Sequence, residues 1–188
     1  MICASTLSLM ILLVGCASSP LTEEFLDPET SVTVSYTDTP IVLFVDRSGR
    51  AAFPRDYLNI GPIRINQQGW QRHFLWAGIW TTLEANAIDD RADGFELLTI
   101  YADGEPILLE VAGWTPTAVG ATRSIYTKPV SSAVDAYYEV TIDQIRMIAT
   151  ANNLRIQTSG EPGVSYEPWD TSESAKRGFR EFLARVSD

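Results

Sequence analysis

From Ser31 to Val45 apolar and polar positions first alternate and then fuse. Val32, Val34 and Tyr36 fall on one side, with Ser31, Thr33, Ser35 and Thr37 on the other. After Asp38-Thr39-Pro40 the chain runs Ile41-Val42-Leu43-Phe44-Val45 with no polar break. Alternation is the period of a half-buried strand, and a short unbroken apolar run suits a strand buried on both faces. Asp46-Arg47-Ser48-Gly49-Arg50 ends the run, and a further short strand is expected at 60–65, around Gly61-Pro62. Residues 95–101 and 107–111 flank Ala102-Asp103-Gly104-Glu105-Pro106, a hairpin in which Asp-Gly supplies the positive φ angles of a tight turn. Residues 123–127 and 136–140 complete this set of strands.

The period becomes helical in two places. Thr141-Ile142-Asp143-Gln144 reads as a capping box, after which Ile142, Ile145, Ile148 and Ala149 share one face. Asn152-Asn153 is expected to stop that helix in a left-handed conformation. Strand alternation returns in Leu154-Arg155-Ile156-Gln157-Thr158. At the end of the chain Ala175, Phe179, Phe182, Leu183 and Val186 form a single apolar stripe, with Thr171 or Ser172 placed to cap its start. The expected fold is therefore α+β and mainly β. It is an antiparallel β-sandwich or strongly curled sheet, with a short helix near 142–151 and an amphipathic C-terminal helix near 172–186 covering an open face or edge. Strands come first and helices late, which excludes a Rossmann-type alternation.

The segment from Trp70 to Thr82 holds three of the five tryptophans and the single histidine. As a strand it puts Trp70, Arg72, Phe74, Trp76 and Trp80 on one side and His73, Leu75, Ala77 and Ile79 on the other. Helical spacing would instead align Trp76, Trp80 and Leu83, but Gly78, Ile79, Thr81 and Thr82 favour a strand, with a bulge at Gly78. Trp76 and Trp80 are expected in the core between sheet and terminal helix, because aromatic rings dominate core energetics. Trp70, which follows Gly69, is expected to be exposed. Trp70, Arg72 and His73 form the candidate ligand surface. His73 alone makes no catalytic centre, since a general base needs an orienting partner.

Composition narrows the partners. The 188 residues are 45% hydrophobic and carry 24 acids against 14 bases, for a net charge of −10. That excess opposes long-range attraction to nucleic-acid phosphates and to anionic membrane surfaces, so no nucleic-acid partner is expected. The length fits one domain.

The first fifteen residues have no charged side chain, and Thr6–Gly15 is too short an apolar run to span a ~30 Å hydrocarbon core. It has the length of the apolar region of a secretory signal. Leu13-Val14-Gly15-Cys16, followed by Ala17-Ser18-Ser19-Pro20, resembles the lipobox of bacterial lipoproteins. The usual Lys or Arg ahead of the apolar run is missing. The resemblance implies cleavage after Gly15, a diacylglyceryl thioether and fatty acid such as palmitate on Cys16, and, with Ala17 next, sorting to the Gram-negative outer membrane. Residues 1–15 are then the signal peptide. Residues 16–30 carry the lipidated cysteine and an acidic tether that reaches at most ~50 Å, unless Phe25 and Leu26 pack back. Residues 31–188 form one β-rich domain facing the periplasm. Cys3 leaves with the signal and Cys16 carries lipid, so no disulfide, thiolate nucleophile or cysteine zinc cluster is expected.

No nucleophile elbow, phosphate-cradling glycine loop or HExxH motif is present in the sequence, and no cofactor is expected. Asp89-Asp90-Arg91-Ala92-Asp93-Gly94-Phe95-Glu96 resembles a calcium loop only superficially, since Arg91 occupies a ligand position and Ile100 the twelfth. These features point to a non-enzymatic envelope lipoprotein that binds a protein or glycan partner. The alternative is an anchored hydrolase, acting on envelope polymer through the dispersed carboxylates Asp56, Glu84, Glu110 and Glu139.

Overall fold

The computed structural model describes residues 21–47, 54–82, 92–160, 163–169 and 173–186. The strands are β1 (Thr22–Asp27), β2 (Val32–Thr37), β3 (Ile41–Asp46), β4 (Arg55–Gln67), β5 (Trp70–Thr81), β6 (Leu97–Ala102), β7 (Glu105–Gly113), β8 (Val134–Val140), β9 (Leu154–Thr158) and β10 (Ser165–Pro168). Helix α1 (Ile142–Thr150) lies between β8 and β9, and α2 (Glu173–Val186) follows β10. Among the described residues, no helix is long and apolar enough to cross a membrane.

The protein is mainly β, as its alternation predicts, but it is a closed barrel rather than a sandwich. Neighbours run β4-β3-β10-β9-β6-β7-β8-β5, and β5 returns to pair with β4, from Gln67 opposite Trp70 to Asp56 opposite Thr81. The decisive piece is β10, four residues that bridge β3 through Glu167–Phe44 and β9 through Tyr166–Ile156. Without that bridge the sheet would be open. Interior positions alternate inward from every strand. Leu58, Ile60, Leu75, Ala77, Leu98, Ile100, Ile107, Leu109, Tyr138 and Ile156 fill the lumen, as side chains do in small eight-stranded barrels. Ile145 and Ile148 of α1 and Phe179, Phe182 and Leu183 of α2 join the same cluster.

β1 and β2 form a flap outside the ring. Along one edge of β4, β3 pairs with residues 55–60 and β2 with residues 63–66. Gly61-Pro62 falls at the changeover, where no ladder bond requires the N–H that proline lacks. The Pro62 carbonyl instead accepts the Tyr126 hydroxyl at 2.9 Å. Residues 22–27 are thus an edge strand, in place of the tether expected through residue 30. Phe25 packs edge-on against Tyr36, whereas Leu26 stays exposed.

A second core lies on the outer wall of the barrel. Val32, Val34, Ile63, Ile65, Phe74, Trp76 and Tyr137 are covered by Val119, Ala121, Ile125 and Tyr126 of the β7–β8 connection. Residues 123–127, expected as a strand, belong to that irregular cover. Asp27 pins it. The buried Asp27 carboxylate accepts the Thr122 backbone N–H at 2.7 Å, the Thr122 hydroxyl, and the N–H groups of Glu29 and Thr30. These donors, Thr122 foremost, hold its pKa at about 2.

The local signals mostly act as read. Asp103 and Gly104 take φ of 51° and 92° in the β6–β7 hairpin, and Gln68 and Gly69 take 53° and 92° in the β4–β5 hairpin. The capping box forms, with Thr141 Oγ1 accepting from Gln144 N and Gln144 Oε1 from Thr141 N. The stop of α1 differs from the expectation. Ala151 leaves in an extended conformation, φ −59° and ψ 132°, and no left-handed asparagine follows. The Asn152 and Asn153 N–H groups are satisfied instead by the Asp103 carboxylate, at 2.9 and 2.8 Å. Thr171 and Ser172 lie outside the described residues.

Candidate functional site

Four aromatic residues cross the outer wall at one level. Phe44 of β3 stands opposite Tyr57 of β4, and Tyr57 opposite Trp80 of β5. Trp169, just past β10, is fixed by donating its backbone N–H to Val42 O at 2.9 Å. The four positions share outward parity, so the barrel aligns rings that the chain keeps far apart. Tyr57 and Trp80 stack at 4.2 Å with an interplanar angle of 11°. Trp169 meets Phe44 edge-on at 5.1 Å and Tyr57 at 5.7 Å.

Arg55 completes the row. Its guanidinium lies 4.7 Å from the Trp169 ring centroid and 5.3 Å from that of Phe44, while its Nε donates to Asp46 Oδ1 at 2.7 Å. The cation is therefore held in place by two rings and a carboxylate. Trp80 Nε1 donates to Asn59 Oδ1 at 3.3 Å, and Trp169 remains 48% exposed. Such a surface can grip a partner, because its side chains are large, amphipathic and already ordered. One face of Trp80 and one face of Trp169 are taken, which leaves edges, the indole body and the guanidinium for contact.

The sequence pointed to the neighbouring strand segment, and the structure divides that trio. Trp70–Thr81 is a continuous strand without a bulge at Gly78, and Trp70, Arg72, Phe74, Trp76 and Trp80 do share its outer side. Gly78 is glycine because the Trp76 ring lies over it, 2.5 Å from where a Cβ would stand. Trp76 is 1% exposed and stacks on Tyr126 at 4.3 Å, beneath the β7–β8 connection rather than the terminal helix. Trp80 is only partly buried and belongs to the aromatic row, not to either core.

Trp70 is 82% exposed and, with Arg72, lines a shallow depression that includes Val32, Ile65 and Thr117. Arg72 is spoken for there. Its Nε and Nη2 donate to both carboxylate oxygens of Glu139, at 3.2 and 2.8 Å, and this pairing holds the Glu139 pKa below its ordinary value. His73 points to the opposite side, across from Arg64. Burial first, and the Arg64 charge second, lower its pKa. The three residues therefore do not act as one surface.

Of the dispersed carboxylates, Asp56 and Glu139 stand far apart. Asp56 is ion-paired with Arg47 and sits opposite Thr81, whereas Glu139 sits opposite Phe74, about 23 Å along the same strand at 3.3 Å per residue. Glu110 is exposed on β7, on the same outer side as Glu139 and next to the Val111–Tyr138 pair. Among the described residues no three of His, Cys, Asp and Glu converge as metal ligands. Cys16, Glu84 and residues 89–91 of the acidic loop lie outside the described residues.

Sequence reasoning missed Phe44, Tyr57, Arg55 and Trp169. The only signal was parity within separate strands, and nothing local shows which strands become neighbours. Compared with family models, curated proteins and solved structures, the chain matches none.

Proposed function

We propose that this protein is a membrane-anchored cell-envelope lipoprotein, lipidated at Cys16 and facing the periplasm from the outer membrane, that acts as a non-enzymatic binding or assembly module for a partner protein. The observation that supports the binding role is the row Phe44, Tyr57, Trp80 and Trp169 with Arg55 laid across it. Tryptophan, tyrosine and arginine are the residues enriched at the energetic centres of protein interfaces. Here the arginine is already fixed by Asp46, which lowers the entropy cost of contact. The anchor is supported by the lipobox resemblance at Leu13–Cys16.

The test is photo-crosslinking in cells. A photoreactive residue in place of Trp169 should give a discrete protein adduct that disappears with Arg55→Glu. The same residue in place of Leu108, an exposed apolar position on β7 away from the row, should give none. Indistinguishable patterns at the two positions would refute the binding role. For the anchor, wild-type protein should incorporate radioactive palmitate and Cys16→Ser should not.

A further inference from the structure

The barrel wall is notched where β9 outruns β10. β9 pairs with β6 along its whole length, from Thr158 to Leu154, but its register with β10 covers only Gln157 and Ile156. Beyond that point lies a depression of about 420 Å³, whose lining includes Tyr101, Asn153, Leu154, Arg155, Glu167 and Pro168. Its size falls in the ~300–1,000 Å³ range of small-molecule sites.

The polar groups that line it are short of partners. Asn153 O accepts from Asp103 N at 2.8 Å, and Thr158 N donates to Val164 O at 3.0 Å. Odd-numbered residues of β9 thus turn their main chain to β6 and even-numbered ones to β10. The Leu154 carbonyl faces the β10 side, where the residue next in line is Pro168, which has no N–H to give it. Arg155 stands opposite Tyr101, and its guanidinium lies 4.4 Å from the centroid of that ring. Stacking holds the guanidinium by one face, while its N–H groups take no acceptor among the described residues. The side chains of Asn153 and Glu167 are exposed and make no hydrogen bond among the described residues either.

These groups select a class of ligand. The two charged side chains in the lining are of opposite sign, so they do not favour a free ion of either charge. A partner strand would need a row of main-chain donors and acceptors, and β9 offers a single carbonyl here. What fits is an uncharged molecule that donates and accepts at several neighbouring points and has an apolar ring face for Tyr101 and Pro168. Carboxamide, carboxylate and guanidinium each present paired polar atoms in one plane, which suits two adjacent hydroxyls on a sugar ring. We propose that the notch is a saccharide-binding site, taking a neutral oligosaccharide at the β9–β10 seam. It goes beyond the partner-protein reading of the aromatic row and does not depend on it.

Isothermal titration calorimetry of the full-length protein with cellotetraose, maltotetraose and chitotetraose tests the site. At least one of these sugars should bind, with the same affinity at low and high salt, since a neutral ligand has no charge to screen. Arg155→Ala and Asn153→Ala should each weaken that affinity by about tenfold, the effect of losing one good hydrogen bond. Both positions are exposed, so the melting temperature should not change. No heat from any of the sugars with folded wild-type protein would overturn the proposal. So would sugar binding that both variants keep undiminished, or binding that falls as salt rises. An equal response to an uncharged, end-blocked tetraalanine peptide would overturn the saccharide assignment.

Discussion

Replacing Trp76 with alanine should nearly unfold the protein, although the residue lies outside the barrel lumen. The ring is 1% exposed, stacks on Tyr126 at 4.3 Å and covers Gly78. Its Nε1 donates at 3.0 Å to Asp135 Oδ1, a buried carboxylate whose other oxygen pairs with Lys128. Truncating a buried tryptophan typically costs ~3–5 kcal/mol. Leaving Asp135 one donor short adds roughly 1 kcal/mol, the low end of an unsatisfied polar group, because Lys128 remains. The sum of about 4–6 kcal/mol is a large part of the ~5–15 kcal/mol that holds a domain together. At this chain length it corresponds to a fall in Tm of about 10–20 °C. Trp80→Ala, on the half-exposed row, should cost about 1–2 kcal/mol, since less apolar area returns to water. Trp70→Ala, at 82% exposure, should stay within ~0.5 kcal/mol. Urea titrations of the three variants, followed by far-UV circular dichroism, give the ranking directly. If Trp80→Ala costs as much as Trp76→Ala, or Trp76→Ala costs less than Trp80→Ala, the argument for a second core on the outer wall is wrong.

Gly61→Ala should destabilise by about 1–3 kcal/mol or more, the usual range for overpacking, because its Cβ would meet the Tyr126 hydroxyl at 2.2 Å; differential scanning calorimetry measures it. Phe182→Ala should cost about 3–5 kcal/mol, and Arg180→Ala little, because Phe182 is fully buried and Arg180 exposed; equal effects in a chemical melt would mean that α2 is not docked. Asp27 supplies a pH test. Its folded pKa lies below its unfolded value of about 3.8, so the stability it contributes is complete above that value and is lost as pH falls through about 2. Wild-type urea midpoints should drop across that window more steeply than those of Asp27→Asn, and parallel curves would show that the Thr122 contacts carry no weight.

What was legible in the sequence follows from how local each cause is. The β6–β7 hairpin was readable because Asp103 and Gly104 make the turn themselves. The α1 start was readable because Thr141 and Gln144 satisfy each other. Closure into a barrel was not. It depends on Ser165-Tyr166-Glu167-Pro168, too short and too polar to read as a strand, which becomes one only because β3 and β9 lie on either side. β1 was hidden for a related reason: it is an edge strand, its middle carries Glu23 and Glu24, and Leu26 points to solvent. The burial of Trp76 was foreseen and its cover was not, because residues 116–126 bind there through side chains without strand periodicity. The aromatic row was invisible for the plainest reason. Its members come from separate strands, and only the register brings them together.

The four-residue bridge of β10 also governs when the molecule can form. Phe44 finds its partner Glu167 far along the chain, so the ring has a gap until residues 165–168 have been made and have threaded between β3 and β9. Up to that moment two long edges are open and the lumen side chains lack their last wall. Contacts of such large sequence separation are slow to form, because the loop-closure entropy must be met before the pairing rewards it. A nascent chain therefore cannot complete its barrel until residues 165–168 have left the ribosome. The same late bridge sets a vulnerability, since Glu167 and Pro168 hold one side of the seam and Ser165 and Tyr166 the other, with two register pairs on each side.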